Sequence, residues 1–218
     1  IHDHHDTLAH YHIPWWMLVA LFYPGEASMV PLQFRRGGWS FTMSEVPLVI
    51  ALLFATPNEL MLTLIAGCVI ALVNHRISVI KAAFNIANFA LGAALAVFVV
   101  RLLLPRPVTM GPHTWLIIGG STLATSALGC VIVSLAISLS EDRVDFKRVA
   151  FALTTHFGSA STTVCVGRAA ATVMAYEPSA AWMLAIPAAT VFVAYRAYVR
   201  ERQKHEILEF LYSSNRLL

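Results

Sequence analysis

The sequence predicts an all-α fold: a polytopic transmembrane helical bundle of six or seven spans, ending in a helix that continues into the cytoplasm. Three observations carry this. The 218 residues are 58% hydrophobic and 12% charged, with a mean hydropathy of +0.68, whereas a soluble domain is about half apolar and about a quarter charged. The apolar residues collect in runs suited to crossing roughly 30 Å of hydrocarbon, which takes about 20 residues as a helix. The basic residues sit on alternate loops between those runs, the pattern that the positive-inside rule sets up in a multi-pass protein. The same composition excludes a water-soluble globular enzyme, a disordered tail and a nucleic-acid-binding module, because a net charge of +3 is too small to hold a polyanion.

Taken in order, the runs are 14–34, 44–56, 58–74, 79–104, 112–139, 149–176 and 178–198. Gly37-Gly38, Pro57-Asn58, Pro105 to Pro107, Gly111-Pro112 and Pro178 punctuate them. The first run contains Pro24-Gly25 and Pro31, so a kinked helix is expected. The second is short. With Ser44 as its cap and Pro47 in its first turn, residues 45–56 extend only about 18 Å. They span only if the helix starts near Trp39 or the bilayer thins locally.

Arg35, Arg36, Arg76, Lys81, Arg143, Lys147, Arg148, Arg196, Arg200, Arg202, Lys204 and Arg216 fall on one side, and Arg101 and Arg106 on the other. This puts the N-terminus outside and the C-terminus in the cytoplasm of a plasma-membrane protein. No basic patch precedes the first run, so the start does not read as a cleavable signal peptide. Cys68, Cys130 and Cys165 each lie within an apolar run with no CxxC spacing, which indicates neither a disulfide framework nor a zinc site.

The expected organisation is an extracytoplasmic His-rich segment over 1–12, a membrane domain over 13–195 and a cytoplasmic connector helix over 196–218. From Tyr195 the text reads YRAYVRERQKHEILEFLYSSNRLL, with no Gly or Pro to end a helix. Ile207, Leu211, Ser214 and Leu218 recur as a heptad seam. A solvated amphipathic tail would carry the same pattern. The sharper expectation is a dimeric rod that couples the last span to a further domain downstream of Leu218.

Ionisable groups inside hydrocarbon cost about 2.5–3.5 kcal/mol on insertion scales and mark functional sites by default. Glu26, Asn85, Asn88 and His156 come to a common depth when counted from their helix starts. Ser159, Thr163 and Gly167 follow His156 at helical spacing. These residues either fix helix packing or form the polar floor of a small-molecule or proton-sensing site. Arg168 is expected to snorkel to the outer interface. Glu45 reads as a first-turn acid favoured by the helix dipole, and Gly119-Gly120 as helix packing.

His2, His4, His5, His10 and His12, with Asp3 and Asp6, supply metal-ligand chemistry at the N-terminus. Such tracts are equally common as disordered tails. No Ser-His-Asp order, phosphate-cradling glycine loop or pair of catalytic carboxylates stands out, so these residues are expected to carry no catalytic site.

Three strings resemble a known family: FTMSEVPLVIALLFATP (Phe41 to Pro57), NHRISVIKAAFNIANFALGAALAVFVV (Asn74 to Val100) and VSLAISLSED (Val133 to Asp142). They are similar to the N-terminal, MASE-type membrane region of actinobacterial sensor proteins, which precedes GAF, GGDEF and EAL domains that make or degrade cyclic di-GMP. The resemblance runs from about Ile13 to the end, with SEVPLV and K-x-x-FN-x-A-x-F-x-L as its most specific pieces. It implies a membrane sensory domain, homodimeric, that passes a signal to a downstream cyclic di-GMP synthase or phosphodiesterase. Neither GGDEF nor EAL occurs in these residues, and the His-rich start is foreign to the family. The K-x-x-FN string is also similar to LytS-type sensors and to substrate-binding subunits of energy-coupling transporters, which implies the rival expectation of a solute-capture subunit.

Overall fold

The computed structural model describes residues 13–27, 30–34, 37–41, 44–74, 78–104, 111–140 and 146–177, with isolated positions between 179 and 201. The chain divides into two units, Ile1–Pro178 and Ser179–Leu218. The first contains α1 (Trp15–Ala27), β1 (Val30–Phe34), β2 (Gly37–Phe41), α2 (Glu45–Phe54), α3 (Pro57–Asn74), α4 (Val79–Leu103), α5 (Pro112–Ser140) and α6 (Phe146–Tyr176). From α2 to α6 these limits follow the apolar runs closely. In the second unit Ile186, Thr190, Val193 and Glu201 are helical, and the Thr190 hydroxyl donates to the Ile186 carbonyl at 2.9 Å. The remaining positions of 196–218, with the heptad seam, lie outside the described residues.

The first run departs from expectation. It is not one kinked helix over 14–34: α1 passes through Pro24 and stops at Ala27, and 30–34 is a strand. It pairs antiparallel with 37–41, from Val30 opposite Phe41 to Phe34 opposite Gly37. Pro31 lacks the N–H that a continuing helix would need, whereas Val30, Phe34, Trp39 and Phe41 suit a pleated ribbon. Trp39 sits opposite Leu32 in that ribbon, so α2 does not begin there.

α2 is the hub. It packs mainly on α6 and also touches α1, α3, α4 and α5. Glu45, Pro47, Val49, Ile50, Ala51 and Phe54 are buried. Ten residues rise only about 15 Å, and an apolar helix this short is accommodated because the other helices surround it. Ser44 precedes it without a side-chain capping bond, so the expected cap is absent. Two residues separate α2 from α3. There Thr56 and Glu59 form a capping box: the Thr56 N–H and hydroxyl donate to Glu59 Oε2 at 2.9 and 2.8 Å, and the Glu59 N–H donates back to Thr56 Oγ1 at 3.4 Å. Pro57 takes the first helical position, where its missing N–H costs nothing.

α4 and α5 are long and apolar enough to cross a membrane, over Val79–Leu103 and Pro112–Leu139. The distribution of polarity supports that reading. Large apolar side chains face outward, among them Leu62, Val73, Ile80, Phe98, Leu102, Leu116, Leu135, Leu139 and Phe157. Small hydroxyls face inward: Thr63, Thr114, Ser121, Thr122, Thr125, Ser134, Ser138 and Thr163 are buried. Most satisfy themselves on their own helix, as when Thr122 Oγ1 donates to the Ile118 carbonyl at 2.8 Å and Ser134 Oγ to that of Cys130 at 2.6 Å. Lipid tails offer no hydrophobic drive for association, and small residues replace it by letting backbones approach closely.

The glycines mark where this happens. A Cβ on Gly67 of α3 would lie 2.6 Å from Phe22 Cβ of α1, and one on Gly119 of α5 would meet Val164 of α6 at 3.5 Å, while Gly120 faces open space. At Gly167 of α6 the new atom would stand 3.1 Å from Val49 Cβ and 3.2 Å from Val46 Cα of α2. Gly167→Ala is therefore expected to be nearly neutral: a shift of a few tenths of an ångström is offset by up to about 1 kcal/mol of helix propensity. Gly167→Leu must push carbon into the α2 backbone and is expected to lower the thermal midpoint by several degrees. Thermal unfolding of both variants in detergent checks this.

Candidate polar site

The centre of the first unit holds a polar cluster built from three helices. Glu45, in the first turn of α2, is 5% exposed. Its Oε1 accepts a 2.7 Å bond from Ser126 Oγ of α5, and its Oε2 a 3.3 Å bond from Thr163 Oγ1 of α6. Ser126 Oγ also lies 2.8 Å from His156 Nε2 of α6. A serine hydroxyl has one proton. If Ser126 gives it to the carboxylate, then His156 Nε2–H must donate to Ser126. The reverse polarity requires the proton to sit on Glu45, with Ser126 donating to the imidazole. The chain Glu45–Ser126–His156 is thus a relay with two arrangements that differ by the shift of one proton along each of its two hydrogen bonds. The Ser126 hydroxyl is engaged on both sides, by Glu45 and by His156.

Beside this chain lies a cavity of about 160 Å³. Its polar lining includes Glu45, Asn85, Asn88, Ser126 and His156 with the hydroxyls of Ser44, Thr122 and Thr125, and its apolar lining includes Leu48, Leu64, Phe89 and Val133. Asn88 Oδ1 is buried and has no hydrogen-bond partner. The Asn88 amide packs against Gly129 of α5, where a Cβ would come within 3.2 Å of Nδ2. A glycine there makes room for the amide. A volume of about 150 Å³ admits a benzene-sized molecule, so this cavity has the size of a small solute.

The structure brings Asn85, Asn88 and His156 to one cavity. Thr163 reaches the cluster through Glu45, while also bonding the Ser159 and Ala160 carbonyls at 3.2 and 3.0 Å. Ser159 does not line the cavity; its hydroxyl donates to the His156 carbonyl at 2.7 Å. Glu26 lies in α1, and its side chain is outside the described residues, as are His2, His4, His5, His10 and His12. Among the described residues no three His, Cys, Asp or Glu side chains converge to hold a metal ion. Arg168 of α6 stacks over the Trp115 ring of α5, its guanidinium carbon 5.2 Å from the centroid. That cation–π contact gives Arg168 a partner on a neighbouring helix.

Two members of the cluster were not legible as such. Glu45 had a sufficient explanation as a first-turn acid, and Ser126 is one hydroxyl among many in α5. The available signal was the three- and four-residue spacing of Thr114, Ile118, Ser121, Thr122 and Thr125, which marks an inward face of α5.

Fold and site together define a helical protein with two helices suited to crossing a membrane and a buried acid–hydroxyl–imidazole chain against a small cavity. Compared with protein-family models, with curated proteins and with solved structures, the chain has no match.

Proposed function

We propose that residues 13–195 form a multi-pass sensory domain of the plasma membrane, N-terminus outside and C-terminus cytoplasmic, whose cavity receives a small-molecule, lipid or proton signal. The observation that supports this reading is the polar cluster itself. A buried carboxylate, two amides and an imidazole converge on a cavity inside helices whose outer surfaces are apolar. Neither a rigid anchor nor a scaffold needs that arrangement. Occupancy changes the relative energy of two helix packings by the ligand's differential affinity for them, and α2, touching every other helix of its unit, feels that change directly. The last segment carries it through 196–218 to a downstream cyclic di-GMP module with GAF, GGDEF or EAL domains, in a homodimer. Catalysis belongs to that module.

The cavity equally suits a solute-capture subunit of a transporter, and coupling separates the two. In the full-length protein in bacterial membranes, Asn88→Ala and His156→Ala are expected to change cyclic di-GMP output at least several-fold at equal membrane insertion. One or two residues inserted near Lys204, each turning a helix by about 100°, are expected to scramble it. Output indifferent to all of these, with solute uptake lost instead, is the result for a transport subunit.

A further inference from the structure

The two halves of the first unit are built from different residues. Glu45 bonds Ser126, midway along the Pro112–Leu139 span of α5, and Thr163, near the middle of α6. Helix α2 therefore begins at mid-depth and runs toward one end only. That end holds the close of α4 and the start of α5, because Val49 packs with Val100, Leu104, Ile118 and Val164. All five are buried, as are Ile50 and Phe54, so the helices close there on large apolar side chains. On the other side of the Glu45 level, the residues described as buried on α5 and α6 are Cys130, Ser134, Ser138, Ala152 and Ala160, all small. On α4 none is described as buried before Ala93. Phe22, buried where α1 meets α3, stands outside the cavity wall. The cavity lies in this second half. Its wall descends from Glu45 and Ser126 to Val133, His156 and Asn85, and Asn85 is only about 9 Å from the start of α4. The first N–H groups of a helix have no intrahelical acceptor, and at membrane depth such groups need protein or water. Ser44 and Glu45, at the start of α2, line the cavity, and Ser44 gives that start no side-chain cap.

We infer that the cavity is a water-filled vestibule entered from the end of the bundle where α4 and α6 start, and that its ligand is a small, water-soluble polar solute arriving from that side. By the positions of Lys81, Arg143, Lys147 and Arg148 that side is the cytoplasm. The inference rests on the sensory reading above and gives the source and solubility of its ligand: the domain reports on the cell interior. A solute from the opposite side would have to pass the apolar cluster, in which Val49 and Ile118 are fully buried. A lipid chain would lie against a carboxylate, two amides and an imidazole, and polar groups covered by hydrocarbon lose the water that a polar solute leaves in place or replaces.

The test is thiol labelling of the full-length protein in right-side-out and inside-out membrane vesicles, read as a mass shift. The probes are two membrane-impermeant methanethiosulfonates of opposite charge, sulfonatoethyl and trimethylammonioethyl, so that repulsion by the wall is not mistaken for closure. With Cys68 and Cys165 changed to Ala, the native Cys130 in the cavity wall is the first target and needs no introduced cysteine. With Cys130 changed to Ala as well, Leu64→Cys and Val133→Cys probe the same wall, and Ile118→Cys probes the apolar half. Val79→Cys, at the exposed start of α4, and His113→Cys, at the exposed start of α5, mark the two ends. Wall cysteines are expected to label only from the side that labels Val79→Cys, and Ile118→Cys from neither. Three results would overturn the vestibule: wall labelling from the His113→Cys side, labelling of Ile118→Cys, or no wall cysteine labelled from either side although each reacts after denaturation. Reaction with the membrane-permeant N-phenylmaleimide alone belongs to the last result and points to entry from lipid. The two readings fail separately. Labelling from the Val79→Cys side that leaves cyclic di-GMP output unchanged removes the sensor and keeps the vestibule; labelling from the other side that changes output removes the vestibule and keeps the sensor.

Discussion

Gly67→Ala is expected to destabilise the first unit by about 1–3 kcal/mol, the range for overpacking a close-packed interior, and Gly67→Leu to prevent its folding. Ordinary carbon contacts lie at about 3.5–4.0 Å, and the added methyl would stand 2.6 Å from Phe22 Cβ. That atom is fixed to the α1 backbone, and Phe22 is fully buried, so rotation about χ1 gives no relief. α1 must retreat from α3 by about an ångström, opening its packing along that line. The gain of up to about 1 kcal/mol in helix propensity from glycine to alanine is too small to offset this. The clash is with Cβ, which sets the control. Phe22→Ala keeps the offending atom, so its cost should add to that of Gly67→Ala. Phe22→Gly removes it, and the Phe22→Gly/Gly67→Ala double variant should lie well above the sum of the singles. Thermal midpoints of the six proteins of the two cycles, measured in one detergent, decide the matter; additivity in the Phe22→Gly cycle would show that the contact is not limiting.

The limits of α2 to α6 were legible because the signals are local and redundant. Apolar runs end at Pro57, at Pro105 to Pro107 and at Gly111-Pro112, and the backbone has no alternative partner in an apolar surrounding. The hairpin was missed for the opposite reason. Residues 30–41 are apolar enough to extend a helix by composition, and only the period-two pattern and Pro31 argue otherwise. Asn85, Asn88 and His156, singled out by depth counting, line one cavity, as regular helices with known starts allow; Glu26, counted to the same depth, has its side chain outside the described residues. Glu45 escaped because a carboxylate in a first turn already has a physical reason to be there. That its oxygens turn to Ser126 and Thr163 instead follows from how α2 sits between α5 and α6, a relation among residues separated by 81 and 118 positions. No single-helix pattern carries that. The unpartnered Asn88 Oδ1 is likewise a property of what surrounds it, here Gly129 and the cavity, and not of its own helix.

Glu45→Met is expected to raise thermal stability while abolishing the response to stimulus. Burying a polar group costs free energy that its hydrogen bonds only offset, and Met fills the space of Glu with a flexible, apolar chain that carries no such cost. The partners left behind have alternatives: Thr163 keeps the Ser159 and Ala160 carbonyls, and Ser126 keeps His156. Ser126→Ala works in the other direction. It takes the 2.7 Å donor from a buried carboxylate and the bridge from His156, leaving both without that partner, which costs about 1–3 kcal/mol. The expected order of midpoints is therefore Glu45→Met at or above the unmodified protein, with Ser126→Ala below it, although both lose the relay and, on the proposed sensory reading, the output with it. A cluster that served only to hold the helices together would give the reverse, with Glu45→Met the most damaging of the set and output falling only as far as folded protein is lost. Stability and output measured on the same membrane preparations distinguish a carboxylate retained for a task, at a cost to the fold, from one retained as a structural bolt.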